Sequence, residues 1–316
     1  MDQKKKIPHI FLYLLILCTG IVWGFSFLGT KIALEQLSPI EVLATRWLLG
    51  AVVIVVLAQL KVIKINLKGK PIRPLLIIAL FQPAIYSIAE CVGIGLTTVS
   101  ESSIFVATIP TFVVIISTIF FTKKISLITV FAILLAFLGV VATVVLSPSF
   151  SISGKWSGYL CMLLAVVMGA AYSAKCGSVA GKYTPMEITY VMAIVGAVWF
   201  NVLSLVLGNG VKAYTMQLHS PALLGAILFL GLGCTAFCYV GYNTAMTNLP
   251  AHQAAMLQSN TTTVVGLLSG IVVNKDPYGW YTFVGLALII IGIVTINLQE
   301  GRLAKLSENT AKSDIA

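Results

Sequence analysis

The sequence predicts an all-α membrane protein whose ten transmembrane helices form two inverted five-helix repeats. Three observations predict it. Of the 316 residues, 59% are hydrophobic and only 9% are charged, whereas a soluble domain carries about 25% charged residues. Apolar runs of about 20 residues, the length that crosses a bilayer, recur near 10–33, 39–60, 74–98, 101–121, 125–146, 156–180, 186–207, 220–246, 250–273 and 278–298. The chain also repeats itself at a shift of 146 residues: Ser38–Ala51 reads S-P-I-E-V-L-A-T-R-W-L-L-G-A and Thr184–Ala197 reads T-P-M-E-I-T-Y-V-M-A-I-V-G-A.

Because five is odd, the second copy must enter the membrane from the opposite side. That architecture places a binding site near the midplane, where the halves meet. The expected division is a basic leader over 1–9, a first five-helix repeat over 10–146, a second over 156–298, and a polar, disordered tail over 299–316. The first apolar run is too long for a signal-peptide core and no small-residue cleavage site follows it, so it reads as retained. With the N-terminus in the cytoplasm, the inner side collects Lys4 to Lys6, Lys61, Lys64, Lys68, Lys70, Arg73, Lys123, Lys124, Lys182, Arg302, Lys305 and Lys312. The outer side holds Lys31, Lys155, Lys212 and Lys275. This bias predicts a cell (inner) membrane protein with both termini cytoplasmic. It also accounts for the net charge of +10 without a nucleic-acid partner.

Span one carries Trp23-Gly24-Phe25-Ser26-Phe27 and then Lys31, and span six repeats the theme as Met168-Gly169-Ala170-Ala171-Tyr172 with Lys175. The glycines permit close helix approach, and both lysines read as snorkelling to the headgroups. Spans two and seven start with a capping box, Ser38 or Thr184 as the cap, proline next, and Glu41 or Glu187 three residues after the cap. These glutamates read as helix starts rather than chemistry. Arg46, one to two turns inside span two, must find acceptors, and structural pairing is the simpler expectation.

Span three spaces Gln82, Tyr86 and Glu90 at intervals of four, which puts them on one helical face. A carboxylate as deep as Glu90 faces a partner or a water-filled cavity, and suits a group that binds a cation or exchanges a proton. Span four opens with Glu101 in a first helical turn, where the dipole favours it, and Pro110 permits a kink further on. His252 begins span nine, where it reads either as a polar residue at a helix start or as an imidazole, the side-chain type suited to proton coupling. Behind it Gln258-Ser259-Asn260-Thr261-Thr262-Thr263 lies at mid-membrane, where each polar group needs a partner. Serine and threonine can bond back to their own helix, so it is Gln258 and Asn260 that, with Tyr239, Tyr242 and Asn243 of span eight, predict one wall of a polar cavity.

The candidate substrate-binding set is therefore Glu90, Gln82, Tyr86, Trp23, Phe27, Tyr172, Tyr239, Asn243, Gln258 and Asn260, with Glu90 and His252 as proton-coupling candidates. All six cysteines lie inside spans, and Cys234 and Cys238, which share a helix face, have no His or carboxylate company, so neither a metal site nor another cofactor is expected. The phosphate-binding motif G-x-x-x-x-G-K-[ST] is absent, as are H-E-x-x-H and G-x-S-x-G, which speaks against ATP use and against an intramembrane enzyme, the alternative from another class.

The W-G-x-x-F…K start, the S-P-x-E…R-W-L-L-G-A second span and the T-T-V-S-E-S-S-I…I-P opening of span four resemble the EamA family of the drug/metabolite transporter superfamily. The resemblance covers residues 10–298. It implies ten helices in two inverted repeats, a central cavity lined by spans one, three, four, six, eight and nine, and transport of small metabolites, which bacterial members often export. The family often carries a glutamate between spans four and five and between spans nine and ten, where this chain has Lys123-Lys124 and Lys275-Asp276. The expected function is a secondary transporter exporting an amino acid or amine across the lipid bilayer by alternating access. Proton-coupled efflux of hydrophobic cations is the alternative.

Overall fold

The computed structural model describes residues 7–121, 126–146, 156–207, 214–215 and 219–313. The helices among them are α1 (His9–Leu34), α2 (Pro39–Gln59), α3 (Arg73–Leu96), α4 (Val99–Ala107), α5 (Ile109–Phe121), α6 (Leu127–Val145), α7 (Trp156–Ser178), α8 (Pro185–Val206), α9 (Pro221–Asn248), α10 (Ala251–Val272) and α11 (Trp280–Ser313). The described residues hold no strand, only an isolated bridge between Ala180 and Tyr183.

Among the described residues, seven helical stretches are long and apolar enough to cross a membrane: α1, α2, α3, Val99–Ile116 through α4 and into α5, α7, α8 and α9. Shorter apolar segments lie in α6 (Leu127–Thr143) and α11 (Trp280–Ile296). The remaining long helix, α10, has 22 residues and carries the polar run at 258–263 in its middle. Of the ten expected spans, seven meet that length and hydropathy, and α6, α10 and α11 lie where the other three were expected. The tail, expected to be disordered from residue 299, instead prolongs α11 to Ser313. It contains no proline and is built largely from Leu, Ala, Lys, Glu and Arg, which lose little freedom in a helix.

The helix starts follow local chemistry. Ser38 and Thr184 cap α2 and α8, and Glu41 and Glu187 return to the cap backbone N–H at 2.8 and 2.9 Å. A third capping box starts α4, where Thr98 is the cap and Glu101 the returning acid. Glu101 is buried and accepts from Tyr159 Oη at 3.1 Å. Asp276 supports the same helix end from the turn before α11, its Oδ2 accepting the Ser100 N–H at 2.7 Å. Carboxylates gathered at an N-terminus satisfy donors that the helix itself leaves open.

Two interruptions shape the interior. In α3 the backbone leaves the helix at Gln82 (φ −141, ψ 115), just before Pro83. Proline lacks an N–H, its ring collides with the carbonyl four residues back, and it disfavours helical geometry in the residue before it. The expected regular face of Gln82, Tyr86 and Glu90 is therefore broken between its first two members. At the same stage of the second half, α9 widens into a π-helical stretch over Phe229–Phe237. Between α4 and α5 the chain turns at Thr108, next to Pro110, as the proline predicts.

The helices pair across the two halves. α1 packs on α9 and α10, and correspondingly α7 packs on α3, α4 and α5. α2 meets α8, α6 meets α11, and α4 crosses α10. Exchanging each helix for its counterpart in the other half maps this set of neighbours onto itself. Gly24 lets α1 and α10 close, since a Cβ there would lie 2.5 Å from Val265 Cβ. The polar run of α10 also joins helices: Thr262 Oγ1 donates to the Gly20 carbonyl of α1 at 3.0 Å, and Thr263 Oγ1 to the Ser103 carbonyl of α4 at 2.9 Å. Outward faces are apolar, with Phe11, Leu14, Val198 and Val202 among the exposed side chains.

Glu187 does more than its symmetric partner Glu41. Lys70, in the connection between α2 and α3, donates to both its carboxylate oxygens at 2.8 and 2.7 Å, and the Asn66 N–H adds a bond at 3.1 Å. Glu41→Ala should remove about 1 kcal/mol on the capping scale. Glu187→Ala should remove about 2 kcal/mol, because hydrogen bonds to a charged group go as well. Melting temperatures of the purified variants test this. Equal losses would show that the Lys70 pair adds nothing.

Candidate functional site

The site grows out of the two interruptions. The extended backbone at Gln82 turns its amide inward, where Nε2 donates to Tyr239 Oη of α9. One turn beyond the break, Tyr86 Oη donates to Glu90 Oε1 at 2.7 Å. The π-helical stretch of α9 leaves carbonyls off the regular ladder, and Trp23 Nε1 of α1 donates to that of Cys234 at 3.1 Å. Thr235, in the same stretch, accepts Arg46 Nε of α2 at 3.0 Å while donating to the Leu230 carbonyl. Gly50 makes that meeting possible: a Cβ there would stand 2.5 Å from Thr235 Cγ2.

These groups surround a cavity lined by Trp23, Ser26, Phe27, Arg46, Gln82, Tyr86, Glu90, Val106, Ile109, Gly169, Tyr172, Ser173, Tyr239, Tyr242, Gln258 and Thr262. Its volume is ≈ 50 Å³, room for a few waters, since one water needs about 10–15 Å³ on the same measure. Aromatic rings form much of the wall. Trp23 meets Tyr239 and Tyr242 edge-on at 5.2 and 5.3 Å, and Tyr172 stands 6.0 Å from Tyr242. Tyr239 also leans on Trp47 at 5.2 Å.

Of the residues singled out from the sequence, Glu90, Gln82, Tyr86, Trp23, Phe27, Tyr172, Tyr239 and Gln258 all line this cavity. Asn243 and Asn260 do not. Asn243 is fully buried one layer back, where its Oδ1 accepts from Tyr172 Oη at 2.7 Å and its Nδ2 donates to Thr189 Oγ1 at 2.9 Å. Its described position is to hold Tyr172. Asn260 lies off the cavity, its Oδ1 buried and without a hydrogen-bond partner. Gln258 Nε2 donates to Thr262 Oγ1 at 2.8 Å. The side chain of His252 lies outside the described residues, as do Lys123, Lys124, Lys155 and Lys212.

Sequence reading missed Arg46 as part of the wall, and with it Ser26, Ser173 and Thr262. Arg46 was legible as a buried cation, but its neighbours are supplied by helices almost 200 residues away in sequence. The lysine pair also differs from expectation. Lys31 does not snorkel: its ammonium donates to the carbonyls of Ile94, Gly95 and Thr97 at 2.9, 3.2 and 2.8 Å, closing the C-terminal end of α3. A cation is favoured there by the partial negative charge of the last carbonyls. Lys175 instead lines a second, largely apolar cavity of ≈ 360 Å³ with Ile77, Phe81, Ile116, Ala171, Ala174 and Ser178.

The cavity sits where helices of both halves meet, in a bundle that crosses the membrane many times, and the known proteins most like this one agree with that picture. A Bacillus subtilis (strain 168) protein named as the uncharacterized transporter YcxC is 25% identical over 289 residues, covering 90% of this chain and 92% of its own. An uncharacterized transporter of Archaeoglobus fulgidus is 26% identical over 284 residues, 90% of this chain and 98% of its own. A solved crystal structure superposes with a TM-score of 0.66 at 16% identity, covering 93% of this chain and 99% of the other, a likeness of fold alone. The profile of the EamA-like transporter family matches twice, over residues 10–145 and again over 156–298, and the chain belongs to that family of multi-pass membrane proteins.

Proposed function

We propose that this protein is a secondary transporter that exports a small polar metabolite, an amino acid or amine, by alternating access through the central cavity. The observation that carries the reading is the cavity itself, walled by helices of both halves and holding the carboxyl group of Glu90 among polar and aromatic side chains. In this reading the chain spans the membrane ten times, as two inverted repeats over 10–146 and 156–298, between a basic leader (1–9) and a polar cytoplasmic tail (299–316). The self-exchanging helix contacts and the matched breaks in α3 and α9 support the repeat. The lysine distribution supports cytoplasmic termini in the inner membrane.

Alternating access needs elements that change shape at low energy, and the extended turn at Gln82 and the π-helical stretch of α9 are such places, since both lack a complete helical ladder. Both contribute directly to the cavity wall, so movement there changes the site. Glu90 attracts an ammonium group or carries a proton, and Tyr86 holds one of its oxygens. No ATP and no cofactor enter this scheme, and no bond is made or broken in the substrate, so the protein is not an enzyme. The small volume favours a compact metabolite over bulky hydrophobic cations, and a fixed guanidinium in the same wall opposes cations further.

Transport measured in proteoliposomes tests the reading. Glu90→Gln should reduce substrate flux at least tenfold while the melting temperature stays close to that of the parent protein. Unreduced flux would remove Glu90 from the mechanism.

The second layer gives a separate expectation. Asn243→Ala, which releases Tyr172, should raise the apparent KM severalfold, whereas Asn260→Ala should leave it unchanged. A raised KM in the Asn260 variant would place that side chain in the substrate path during part of the cycle.

A further inference from the structure

We propose that Arg46 and Glu90 together read a zwitterion, Arg46 taking the carboxylate and Glu90 the ammonium group of an α-amino acid or a molecule of like charge spacing. The inference rests on the transport reading above and narrows its substrate class from "amino acid or amine" to molecules carrying both charges.

Arg46 and Glu90 are the charged residues of the cavity wall, one of each sign. Arg46 lies seven residues from the first residue of α2 and Glu90 six from the last residue of α3, each about 10 Å along the helix at 1.5 Å per residue. The two helices pack together, and both of these ends lie on the same side of the membrane. The charges therefore face one cavity from similar depth.

They do not neutralise each other by contact. No ion pair joins them among the described contacts. Each is instead positioned by a separate neutral group. Thr235 Oγ1 accepts Arg46 Nε at 3.0 Å, and the described bonds leave the two terminal nitrogens of the guanidinium, the fork that matches a carboxylate. Tyr86 Oη occupies Glu90 Oε1 at 2.7 Å, and the described bonds leave Oε2. Gln82, which lines the same cavity, has its Oε1 buried without a hydrogen-bond partner, a second acceptor for an ammonium group.

A cavity holding one fixed cation and one fixed anion selects by what it leaves unpaired. A zwitterion compensates both groups. An amine leaves Arg46 uncompensated in a low-dielectric site, and a carboxylic acid leaves Glu90 so, and an unpaired buried charge is strongly unfavourable. Selection against molecules of a single charge then follows from the protein, not from any special contact with them.

The test is a thermal-shift and isothermal-titration panel on the full-length purified protein at pH 7. It uses the common α-amino acids, and for each responder the matching amine without the carboxylate and the matching acid without the amino group. At least one amino acid should raise the melting temperature and bind tenfold or more tightly than either analogue. In Arg46→Gln that amino acid should lose at least tenfold in affinity and bind no better than its amine. Glu90→Gln should likewise erase the preference over the acid. Arg46→Lys keeps the charge but not the fork, so it should bind more weakly while still preferring the zwitterion; this variant keeps the question open to decision if Arg46→Gln does not fold.

Equal binding of an amino acid and its amine to the parent protein would overturn the inference. So would an Arg46→Gln variant that folds and keeps the preference, or a panel in which no zwitterion binds. The two readings fail separately: proteoliposome flux of an amine or lipophilic cation, unchanged in Arg46→Gln, would sink the zwitterion while leaving transport standing.

Discussion

Every polar group in this bundle has to find its partner within the protein, because the hydrocarbon interior offers none. The constraint explains features that would look unrelated in a soluble protein. Three capping boxes close helix N-termini, Asp276 closes one of them a second time from another part of the chain, and Lys31 closes the C-terminal end of α3. Hydroxyls of α10 end on carbonyls of α1 and α4, so Thr262 and Thr263 of the polar run act as glue between helices. Among the groups left over, Gln82 Oε1 and Asn260 Oδ1 are buried without a partner, and Glu90 and Arg46 line a space instead of meeting a full complement of partners.

The same constraint makes a broken helix expensive in lipid and useful inside. The π-helical stretch of α9 leaves a backbone carbonyl open, and side chains from the opposite half of the molecule meet that stretch. Trp23 of α1 answers Cys234, and Arg46 of α2 is held by Thr235. The cavity is therefore assembled from groups whose first task is to satisfy one another. A site built this way is rigid where its bonds are complete and mobile where the ladder is interrupted, which is the combination a transporter requires.

Symmetry organises the fold without extending to the chemistry. Equivalent helices have equivalent neighbours, and α3 and α9 break at equivalent stages, one by proline and an extended residue, the other by a π-helical stretch. The charged residues depart from it. Glu187 holds Lys70 whereas Glu41 serves its own helix start, and Lys31 closes a helix whereas Lys175 faces an apolar cavity. Glu90 and Arg46 both come from the first half, so that half carries the charges and the second supplies aromatic and hydroxyl groups around them.

The sequence by itself determined that the chain is helical and crosses a membrane, where most helices start, that two copies of one unit are present, and that Glu90 faces the interior. Local physics suffices for each: apolar length, capping chemistry, self-similarity, and the penalty on a carboxylate in lipid. Spacing placed Gln82 on the face of Tyr86 and Glu90, yet only the proline break explains how its amide reaches Tyr239. The sequence also left Asn243 and Asn260 indistinguishable from cavity residues, and Arg46 from a structural cation. Only the tertiary structure decided these, because the partners that settle them, Tyr172, Thr189 and Thr235, lie on other helices, and which of them come within 3 Å depends on how close small residues such as Gly24 and Gly50 let the helices approach.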